Sequence, residues 1–449
     1  MTEAAPSPVP VERLRARVES KEAVVGVVGL GYVGLPLAVA FAGRGLRVMG
    51  FDTDGTKADR IRSGDGYIKH LDWEAVAELV AGGALDATDD FSRLAEADCI
   101  LICVPTPLAK GPDKVPDLTY VEATARQIAR TLRPGQLVVL ESTTYPGTTE
   151  EVVRPILDSA GLECGSDYLL AYSPEREDPG NPKHSVTGIP KVVGGVGEEA
   201  TAIACALYGH VAPSTVGVSA PAVAEATKML ENTFRAVNIA LVNELKMLFE
   251  KIGVDVWEVI AASSTKPFGY MPFYPGPGLG GHCIPIDPFY LSWRAKQAGF
   301  DDRFIKLAGE INSEMPGVVV ERTASELAAR GTEIADAAVL VLGLAYKPDV
   351  DDPRESPAFE IITLLGRRGA EVSYNDPYIP HTPGMRNWQL DLDSVELTTD
   401  TLAAADAVVV VTNHSCYDPE FIVRHSKLVI DTRNLTGDLS PMPGNVVKA

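Results

Sequence analysis

Cysteine is scarce in this chain of 449 residues, which carries six cysteines and no C-x-x-C pair. Structural zinc sites and disulfide frameworks need closely spaced cysteines, so this distribution predicts reduced thiols and no metal site. Long apolar runs are missing too, because no stretch reaches the roughly 20 apolar residues of a membrane span. The sequence therefore predicts neither a disulfide-stabilised secreted domain nor a membrane-spanning protein.

Positive charge is the second shortage, since 40 Lys and Arg stand against 61 Asp and Glu and give a net charge of −21. This balance argues against nucleic acid or an anionic membrane as the main partner. Residues 1–20 contain Pro, Glu and Arg without an apolar core, so they are predicted to form a flexible tail and not a signal peptide. We expect a cytoplasmic protein.

A dinucleotide-binding fingerprint follows this tail in the context that it requires. A buried-strand pattern over 23–29 leads into a glycine-rich turn, a helical pattern over 35–43 and a second strand pattern that ends at Asp52. The glycines allow the turn, the approach of a pyrophosphate and close packing of helix on strand, and an acid after the second strand accepts from a ribose hydroxyl and repels a 2′-phosphate. The pattern predicts NAD, bound by Gly29, Gly31, Tyr32, Val33, Gly34 and Asp52.

Two later strand patterns end in hydroxyl side chains. The strand predicted over 99–104 leads to Thr106, and the strand predicted over 137–140 leads to Ser142 and Thr143. Ligands of such folds bind at the carboxyl ends of parallel strands, so Thr106 and Thr143 are predicted cofactor contacts. Capping of the following helix is an alternative role for Ser142 and Thr143, and it stays open.

The segment 221–252 is helical in pattern almost without interruption. At 1.5 Å per residue it predicts a rod of roughly 45–50 Å, long enough to join two domains and to give a homodimer its interface. Lys228, Asn232 and Arg235 are spaced to share one face of this largely apolar helix. Polar residues that share a helix face are usually exposed to solvent. If Lys228 is buried instead, its charge must be paired with another group or serve a function.

A loop rich in Gly and Pro surrounds Cys283 between Tyr274 and Asp287. Glycine allows close backbone approach to a ligand and proline limits the flexibility, so the composition predicts a shaped loop. Backbone N–H groups on one side of Cys283 and Asp287 four residues on are consistent with a nucleophilic thiolate. From spacing alone, a turn that merely contains a cysteine is equally acceptable.

The last third of the chain repeats the plan of the first. Segments 366–376, 402–411 and 428–434 echo segments 43–52, 94–104 and 137–143. The repeat lacks the fingerprint, and its first strand leads instead to Lys347 and Arg354, which predicts a second phosphate-bearing ligand held by side chains. An ordinary surface loop is the alternative.

The predicted fold is therefore α/β, with two Rossmann-like doubly wound parallel-sheet domains joined by a long central helix and a helical dimerisation region. Its predicted domains are a tail over 1–20, an NAD-binding domain over 21–215, a central domain with the cysteine loop over 216–325, and a second Rossmann-like domain over 326–449.

Four motifs together resemble the nucleotide-sugar 6-dehydrogenase family, which includes UDP-glucose and GDP-mannose dehydrogenases. They are Gly29-Leu-Gly-Tyr-Val-Gly-Leu-Pro, Lys228-Met-Leu-Glu-Asn-Thr-Phe-Arg, Gly280-Gly-His-Cys-Ile-Pro-Ile-Asp and Gly343-Leu-Ala-Tyr-Lys-Pro. The resemblance covers about Val24 to Asn434. It implies that two NAD⁺ oxidise the C6 alcohol of a nucleotide-linked sugar to a carboxylate for the biosynthesis of polysaccharides and other glycosylated products.

The resemblance also implies roles for individual residues. Cys283 captures the C6 aldehyde as a thiohemiacetal that is oxidised to a thioester, while Lys228 and Asn232 contact the C6 oxygen. Asp287 and Thr143 act on the hydrolytic water. Gly280 and Lys347 bind the substrate, and Arg354 lies on the cofactor side.

Two departures from the family pattern bear on the chemistry and the substrate. Pro179 stands where many members carry an acid/base Glu, so Glu177 is the predicted substitute. Ile286 stands where glucose-specific members carry Lys, which resembles the members that act on UDP-N-acetylhexosamines. UDP-glucose and TDP-glucose stay open as alternative substrates.

Two other classes of protein share some of these sequence features. A one-step β-hydroxyacid dehydrogenase also joins a Rossmann domain to a long helix, but it uses one NAD and no nucleophilic cysteine. A redox sensor or nucleotide-binding scaffold predicts loss of the cysteine or of the polar helix face. Cys283, the helix face and the second Rossmann-like repeat argue against both.

Overall fold

The computed structural model describes residues 10–68, 71–109, 115–176, 186–281, 284–385 and 388–449. The chain forms two compact units. The first extends to Glu231 and includes Trp293–Ala298, and the second contains Asn232–Ser292 and Gly299–Ala449. The domain boundaries after residues 215 and 325 stay a prediction.

The elements are numbered in chain order. The strands are β1 Val24–Val28, β2 Arg47–Phe51, β3 Leu85–Thr88, β4 Cys99–Ile102, β5 Leu137–Leu140, β6 Leu169–Tyr172, β7 Lys191–Gly195, β8 Thr215–Val218, β9 Ala338–Leu342, β10 Glu371–Asn375, β11 Ala407–Val410, β12 Val429–Asp431 and β13 Val446–Lys448. The α-helices are α1 Pro10–Glu19, α2 Gly34–Gly43, α3 Gly55–Ser63, α4 Trp73–Ala81, α5 Thr119–Thr131, α6 Arg154–Asp158, α7 Glu198–Tyr208, α8 Pro221–Lys251, α9 Val256–Ser263, α10 Asp287–Gln297, α11 Phe304–Ala329, α12 Pro357–Arg367, α13 Thr399–Ala404 and α14 Pro419–His425. Short 3-10 turns cover Phe91–Glu96, Val186–Gly188 and Ile334–Asp336, and a π-helical turn covers Thr149–Val153.

The first unit is built on a sheet whose strands, within the described ranges, follow the order β3-β2-β1-β4-β5-β6-β7-β8. Neighbouring strands are parallel except β6 and β7, which pair antiparallel. The central strands are buried on both faces, which explains why they are continuous apolar runs and not alternating ones. This is the predicted doubly wound sheet. The carboxyl ends of β1, β4 and β5 lie at one edge of it.

Successive residues of β1 point to opposite faces of the sheet and enter different apolar cores. Val25 and Val27 pack in the core that includes Phe41 of α2 and the buried residues of α1 and α7. Val24 and Val28 pack in the core that includes the buried residues of α5 and α6. Helices therefore cover both faces, as a parallel sheet requires.

The prediction of a flexible tail over residues 1–20 is wrong for the part that the structure describes. Residues 10–19 form α1, whose Val11, Leu14 and Val18 are buried. Arg17 also forms an ion pair of 2.8 Å with Asp98. The three apolar residues at i, i+3 and i+7 form one helix face, and the overall Pro, Glu and Arg content of the segment obscured this spacing.

The second unit contains the predicted second Rossmann-like sheet, with parallel strands in the order β10-β9-β11-β12-β13 among the described residues. Val339 and Val341 of β9 pack in a core with the buried residues of α11 and α12. Leu340 and Leu342 pack on the opposite face with residues of α13 and α14. The repeat noted in the sequence is thus a repeat of architecture.

The predicted long helix is α8, a continuous helix of 31 residues that starts at Pro221. At 1.5 Å per residue its length is about 45 Å. It ends before Gly253, whose φ of 74° is the left-handed conformation common after a helix. In the described part of the chain, no helix is both long and apolar enough to cross a membrane.

Candidate active site

The fingerprint forms the turn between β1 and α2 and holds its backbone open to a ligand. A Cβ on Gly34 would lie 1.9 Å from the carbonyl oxygen of Gly29, so only glycine permits this close packing of helix on strand. A Cβ on Gly31 would meet no described protein atom within 4 Å. An accessible turn at a helix N-terminus suits a pyrophosphate, so these residues fit NAD.

Asp52 follows β2 and is fixed against the same turn. Its carboxylate accepts from the backbone N–H of Leu30 at 2.9 Å and of Asp54 at 3.0 Å. Lys57 forms an ion pair of 2.9 Å with it. Asp52 is buried and adjoins the fingerprint backbone, which is the placement predicted for an acid that selects NAD.

We expect Asp52→Ala to weaken NAD⁺ use and to relax discrimination against NADP⁺. A charge-assisted hydrogen bond is worth about 1.5–3 kcal/mol, so kcat/KM for NAD⁺ should fall roughly 10- to 100-fold. The measurement is kcat/KM with each cofactor, and Asp59→Ala on α3 is a matched control because its side chain is exposed. An unchanged NAD⁺/NADP⁺ preference would remove Asp52 from the cofactor site.

The hydroxyls after β4 and β5 have different environments. Thr106 is buried and Thr143 is half-buried, and both follow strands at the fingerprint edge. Ser142 does not cap a helix; its hydroxyl donates to the carbonyl of Val104 at 2.7 Å, which ties two strand ends together. The cofactor roles of Thr106 and Thr143 stay predictions.

The first turns of α8 are held against loops of the first unit. Lys228 is buried, and its ammonium donates to the backbone carbonyl of Glu175. Glu225, one turn earlier, accepts from the backbone N–H of Gly147 at 2.6 Å and of Thr149 at 2.9 Å. The solvated-face alternative is therefore wrong for Lys228.

Two acids that flank Lys228 were not predicted from the sequence. Glu225 is fully buried, and burial raises the pKa of its carboxyl. Glu231 binds the guanidinium of Arg176 at 2.7 Å, on the loop after β6. The available signal was an acid three residues before Lys228 in an apolar helix. Arg235, which was grouped with Lys228 and Asn232, is exposed.

In the second unit, Asn232 and Asp287 are in direct contact. The amide nitrogen of Asn232 donates to the carboxylate of Asp287 at 2.6 Å, and both side chains are buried. Asp287 is the first residue of α10, where the positive end of the helix dipole stabilises a carboxylate. Two residues predicted for catalysis thus form a buried polar pair, and one of them, Asp287, lies four residues beyond Cys283.

The cysteine loop rests on the loop that follows β9. Gly281 has φ of 86° and donates to the carbonyl of Arg354 at 3.0 Å. A Cβ there would lie 2.9 Å from the ring of Tyr346, so glycine is required for both conformation and space. Gly280 packs on the same tyrosine. Cys283 lies outside the described residues, as does Glu177.

Cationic side chains follow β9 and β12 of the second sheet. The Lys347 ammonium lies 5.6 Å from the ring centroid of Tyr346. Arg354 is bound by both carboxylate oxygens of Asp352, at 2.9 and 2.6 Å, and its cofactor role stays a prediction.

Arg433, after β12, was missed by the sequence analysis. Its Nε donates to the carbonyl of Val411 at 2.9 Å, and no described carboxylate forms an ion pair with its guanidinium. Loss of hydration lowers the pKa of Arg433 to about 10. The signal was available, because Arg433 occupies the place after β12 that the Ser142–Thr143 pair occupies after β5.

Comparisons with known proteins agree with this architecture. The profiles of the UDP-glucose/GDP-mannose dehydrogenase family match along the chain: its NAD binding domain at residues 23–212, its central domain at 222–314 and its UDP binding domain at 340–438. These three segments contain the fingerprint, the buried part of α8 with the cysteine loop, and most of the second sheet.

Individual relatives point the same way. The chain is 36% identical over 422 residues to the UDP-N-acetyl-D-mannosamine dehydrogenase of Pyrococcus horikoshii, covering 92% of this chain and 95% of the relative. It is 35% identical over 397 residues to the UDP-N-acetyl-D-glucosamine 6-dehydrogenase of Pseudomonas aeruginosa, covering 88% and 91%. The solved structure of a UDP-D-ManNAc dehydrogenase from Pyrococcus horikoshii superposes with a TM-score of 0.83 at 34% identity and covers 94% of this chain and 98% of that one.

Proposed function

We propose, for a chain that belongs to the UDP-glucose/GDP-mannose dehydrogenase family, a four-electron oxidation of the C6 hydroxymethyl of a UDP-N-acetylhexosamine to a carboxylate. The chain is a nucleotide-sugar dehydrogenase of the UDP-N-acetylhexosamine subgroup with an NAD-binding domain. The observation that carries the proposal is the buried Asn232–Asp287 pair, whose Asp287 lies four residues after Cys283. It brings hydrogen-bonding and proton-transfer groups to the segment that bears the nucleophile.

The acetamido sugar is supported by relatives that are named for UDP-N-acetylmannosamine and UDP-N-acetylglucosamine. Ile286 adds a chemical reason, because a half-buried apolar side chain before Asp287 suits an uncharged acetamido group better than a Lys would. UDP-glucose and TDP-glucose are the alternative substrates.

The residues that would hold NAD⁺ are the fingerprint glycines and Asp52, with Thr106 and Thr143 at the neighbouring strand ends. When bound, NAD⁺ supplies the hydride acceptor for each of two oxidations. During the first oxidation, Lys228 steadies the negative charge that develops on the C6 oxygen as its proton passes to solvent and the C6 hydride leaves. Asn232 donates a hydrogen bond to the same oxygen.

The thiolate of Cys283 then adds to the C6 aldehyde and forms a thiohemiacetal, which prevents escape of the aldehyde. Loss of the C6 hydride from the alkoxide form of this adduct leaves a thioester. Water attacks the thioester carbonyl, the C–S bond breaks, and a carboxylate and a free thiolate result, with one proton passing to Asp287 and the second to solvent. Asp287 accepts a proton from that water with help from Thr143, and Glu177 is a second candidate for this role.

The nucleotide end of the substrate carries a diphosphate, which suits the cations of the second sheet. The guanidinium of Arg433 has no described carboxylate partner, and a guanidinium binds phosphate oxygens in bidentate geometry. Lys347 adds a second positive charge. These local cations allow a chain of net charge −21 to bind a dianionic ligand.

A homodimer is part of the proposal. Beyond residue 231, α8 exposes Phe234, Leu241 and Leu248 at intervals of seven residues, which is about two turns. Ile252 follows directly after the end of α8, and 46–61% of each of these four side chains is accessible. An apolar helix face of this length favours association with a second copy. Light scattering should give twice the monomer mass of 47.9 kDa; a monomer at micromolar concentration would contradict the dimer. A cytoplasmic location is proposed with it.

The substrate is tested with NAD⁺ and a panel of UDP-N-acetylglucosamine, UDP-N-acetylgalactosamine, UDP-N-acetylmannosamine, UDP-glucose, TDP-glucose and GDP-mannose. NADH formation and product mass are read in parallel. A uronate from one UDP-N-acetylhexosamine, at the highest kcat/KM of the panel, is the expected result. The highest kcat/KM with UDP-glucose or TDP-glucose would establish the alternative substrate.

A further inference from the structure

The loop after β9, residues 344–349, carries Lys347 and is held by side chains at its start. Asp376 follows β10, and its carboxylate accepts from the backbone N–H of Leu344 at 2.7 Å and of Ala345 at 2.9 Å. Thr412 donates to the carbonyl of Ala345 at 2.6 Å. The first residues of the loop therefore have little freedom.

The far end of the same loop is held by a buried imidazole. Nδ1 of His414 lies 3.0 Å from the backbone nitrogen of Asp349, and Nε2 lies 3.0 Å from the Asp376 carboxylate. Because Nδ1 faces an N–H donor, it must accept, and the ring proton is on Nε2 and is donated to Asp376. His414 is 1% exposed, so water does not replace either bond.

His414 thus connects the two ends of the loop through a single ring. Asp349 has φ of 62°, a left-handed conformation that is uncommon for residues other than Gly, Asn and Asp. Its carboxylate also accepts from the backbone N–H of Ser415 at 2.9 Å. Lys347 lies between these fixed points, two residues before Asp349.

Comparison with the first sheet explains why the loop after β9 in the second sheet needs the contacts of His414. In the first sheet, Asp52 follows β2 and accepts a hydrogen bond from the backbone N–H of Leu30 in the turn after β1. That turn is predicted to bind its phosphate ligand through backbone N–H groups, which need no further support to fix a side chain. In the second sheet the cation belongs to a flexible side chain, and a Lys binds phosphate well only if its backbone is fixed.

We propose that His414 is a positioning residue for the substrate diphosphate, acting through the loop that carries Lys347. The proposal rests on the proposed function, which assigns the nucleotide end of the substrate to Lys347. It predicts that His414 affects nucleotide binding without contacting the nucleotide, and that its effect requires the Lys347 ammonium.

The test is a double-mutant cycle on UDP affinity by isothermal titration calorimetry, with the full chain, His414→Gln, Lys347→Ala and the double variant. Gln can keep a donor near Asp376 but does not supply the acceptor for Asp349. We expect His414→Gln to weaken UDP about tenfold, and to change affinity less than about twofold when Lys347 is already Ala. His381→Gln is the matched control, since this exposed His pairs with Asp393 in the same unit.

Kinetics and a conservative variant separate positioning from a general loss of structure. For His414→Gln, KM for the nucleotide sugar should rise about tenfold while KM for NAD⁺ stays within about twofold. His414→Asn supplies an acceptor near the Nδ1 position, so it should bind UDP within about threefold of the unaltered chain. This variant keeps the proposal testable if the Gln variant does not fold, because a loss of about tenfold with Asn overturns it.

The outcomes distinguish the inference from the function on which it rests. Normal UDP affinity in His414→Gln, or an equal loss with and without Lys347, overturns the positioning role alone. If Lys347→Ala itself binds UDP normally, the role of Lys347 in the proposed function fails and the inference fails with it.

Discussion

We expect the Cys283→Ser variant to lose steady NADH production, with turnover falling by about 10³-fold or more. A serine hydroxyl is not ionised near neutral pH, so it adds poorly to the C6 aldehyde. Any acyl-serine that does form is an ordinary ester, which water hydrolyses much more slowly than a thioester. The described flanks of Cys283 are Gly281, whose backbone is fixed, and Asp287 at the start of α10.

The measurement is the steady-state rate with a saturating nucleotide sugar, together with the intact mass of the protein during turnover. Cys416→Ser is the matched control, because Cys416 is an exposed cysteine in the second unit and has no role in the mechanism. Its rate should equal that of the unaltered chain. Full turnover by Cys283→Ser would exclude the covalent mechanism.

The second large effect is expected at Lys228, whose replacement by Ala should lower kcat by about 10²- to 10³-fold. A buried ammonium stabilises a developing alkoxide more strongly than water does, because the surroundings screen the charge poorly. Lys228 is 6% exposed and lies on a helix turn that Glu225 and Glu231 hold in place. The fall should be in kcat, with NAD⁺ affinity unchanged.

Two measurements check this prediction. Calorimetry should show that Lys228→Ala binds NAD⁺ normally, and added methylammonium should restore part of the lost rate by entering the vacated space. Lys251→Ala, at the exposed end of the same helix, should behave as the unaltered chain. A Lys228→Ala variant with an unchanged kcat would remove the ammonium from the chemistry.

Local patterns predicted much of the fold. The fingerprint at Gly29 and Gly34, the uninterrupted helical pattern from Pro221, and the repeated strand segments each depend on residues close together in the chain. Their outcomes in the structure are β1–α2, α8 and the second parallel sheet. The apolar residues of α1 are also close together in the chain. The helix was not predicted because only three of its ten residues are buried and its overall composition resembles that of a flexible tail.

The parts of the site that were missed depend on contacts between distant segments. The carboxylate of Glu225 accepts hydrogen bonds from the backbone N–H groups of Gly147 and Thr149, which lie more than 70 positions earlier in the chain. His414 acquires its role from Asp349 and Asp376, which lie in two other loops. Sequence spacing does not show such contacts, because each depends on which distant segments the fold brings together. The Asn232–Asp287 bond, by contrast, joins two residues that the motifs had already selected.

The central claim is that one nucleotide sugar is oxidised twice before release. Its most direct test is the ratio of NADH formed to nucleotide sugar consumed, measured to completion with the sugar limiting and NAD⁺ in excess. The account predicts a ratio of two, with the uronate as the only sugar product by mass. A ratio of one, with an aldehyde or its hydrate as the product, would contradict it and would leave a single-step dehydrogenase.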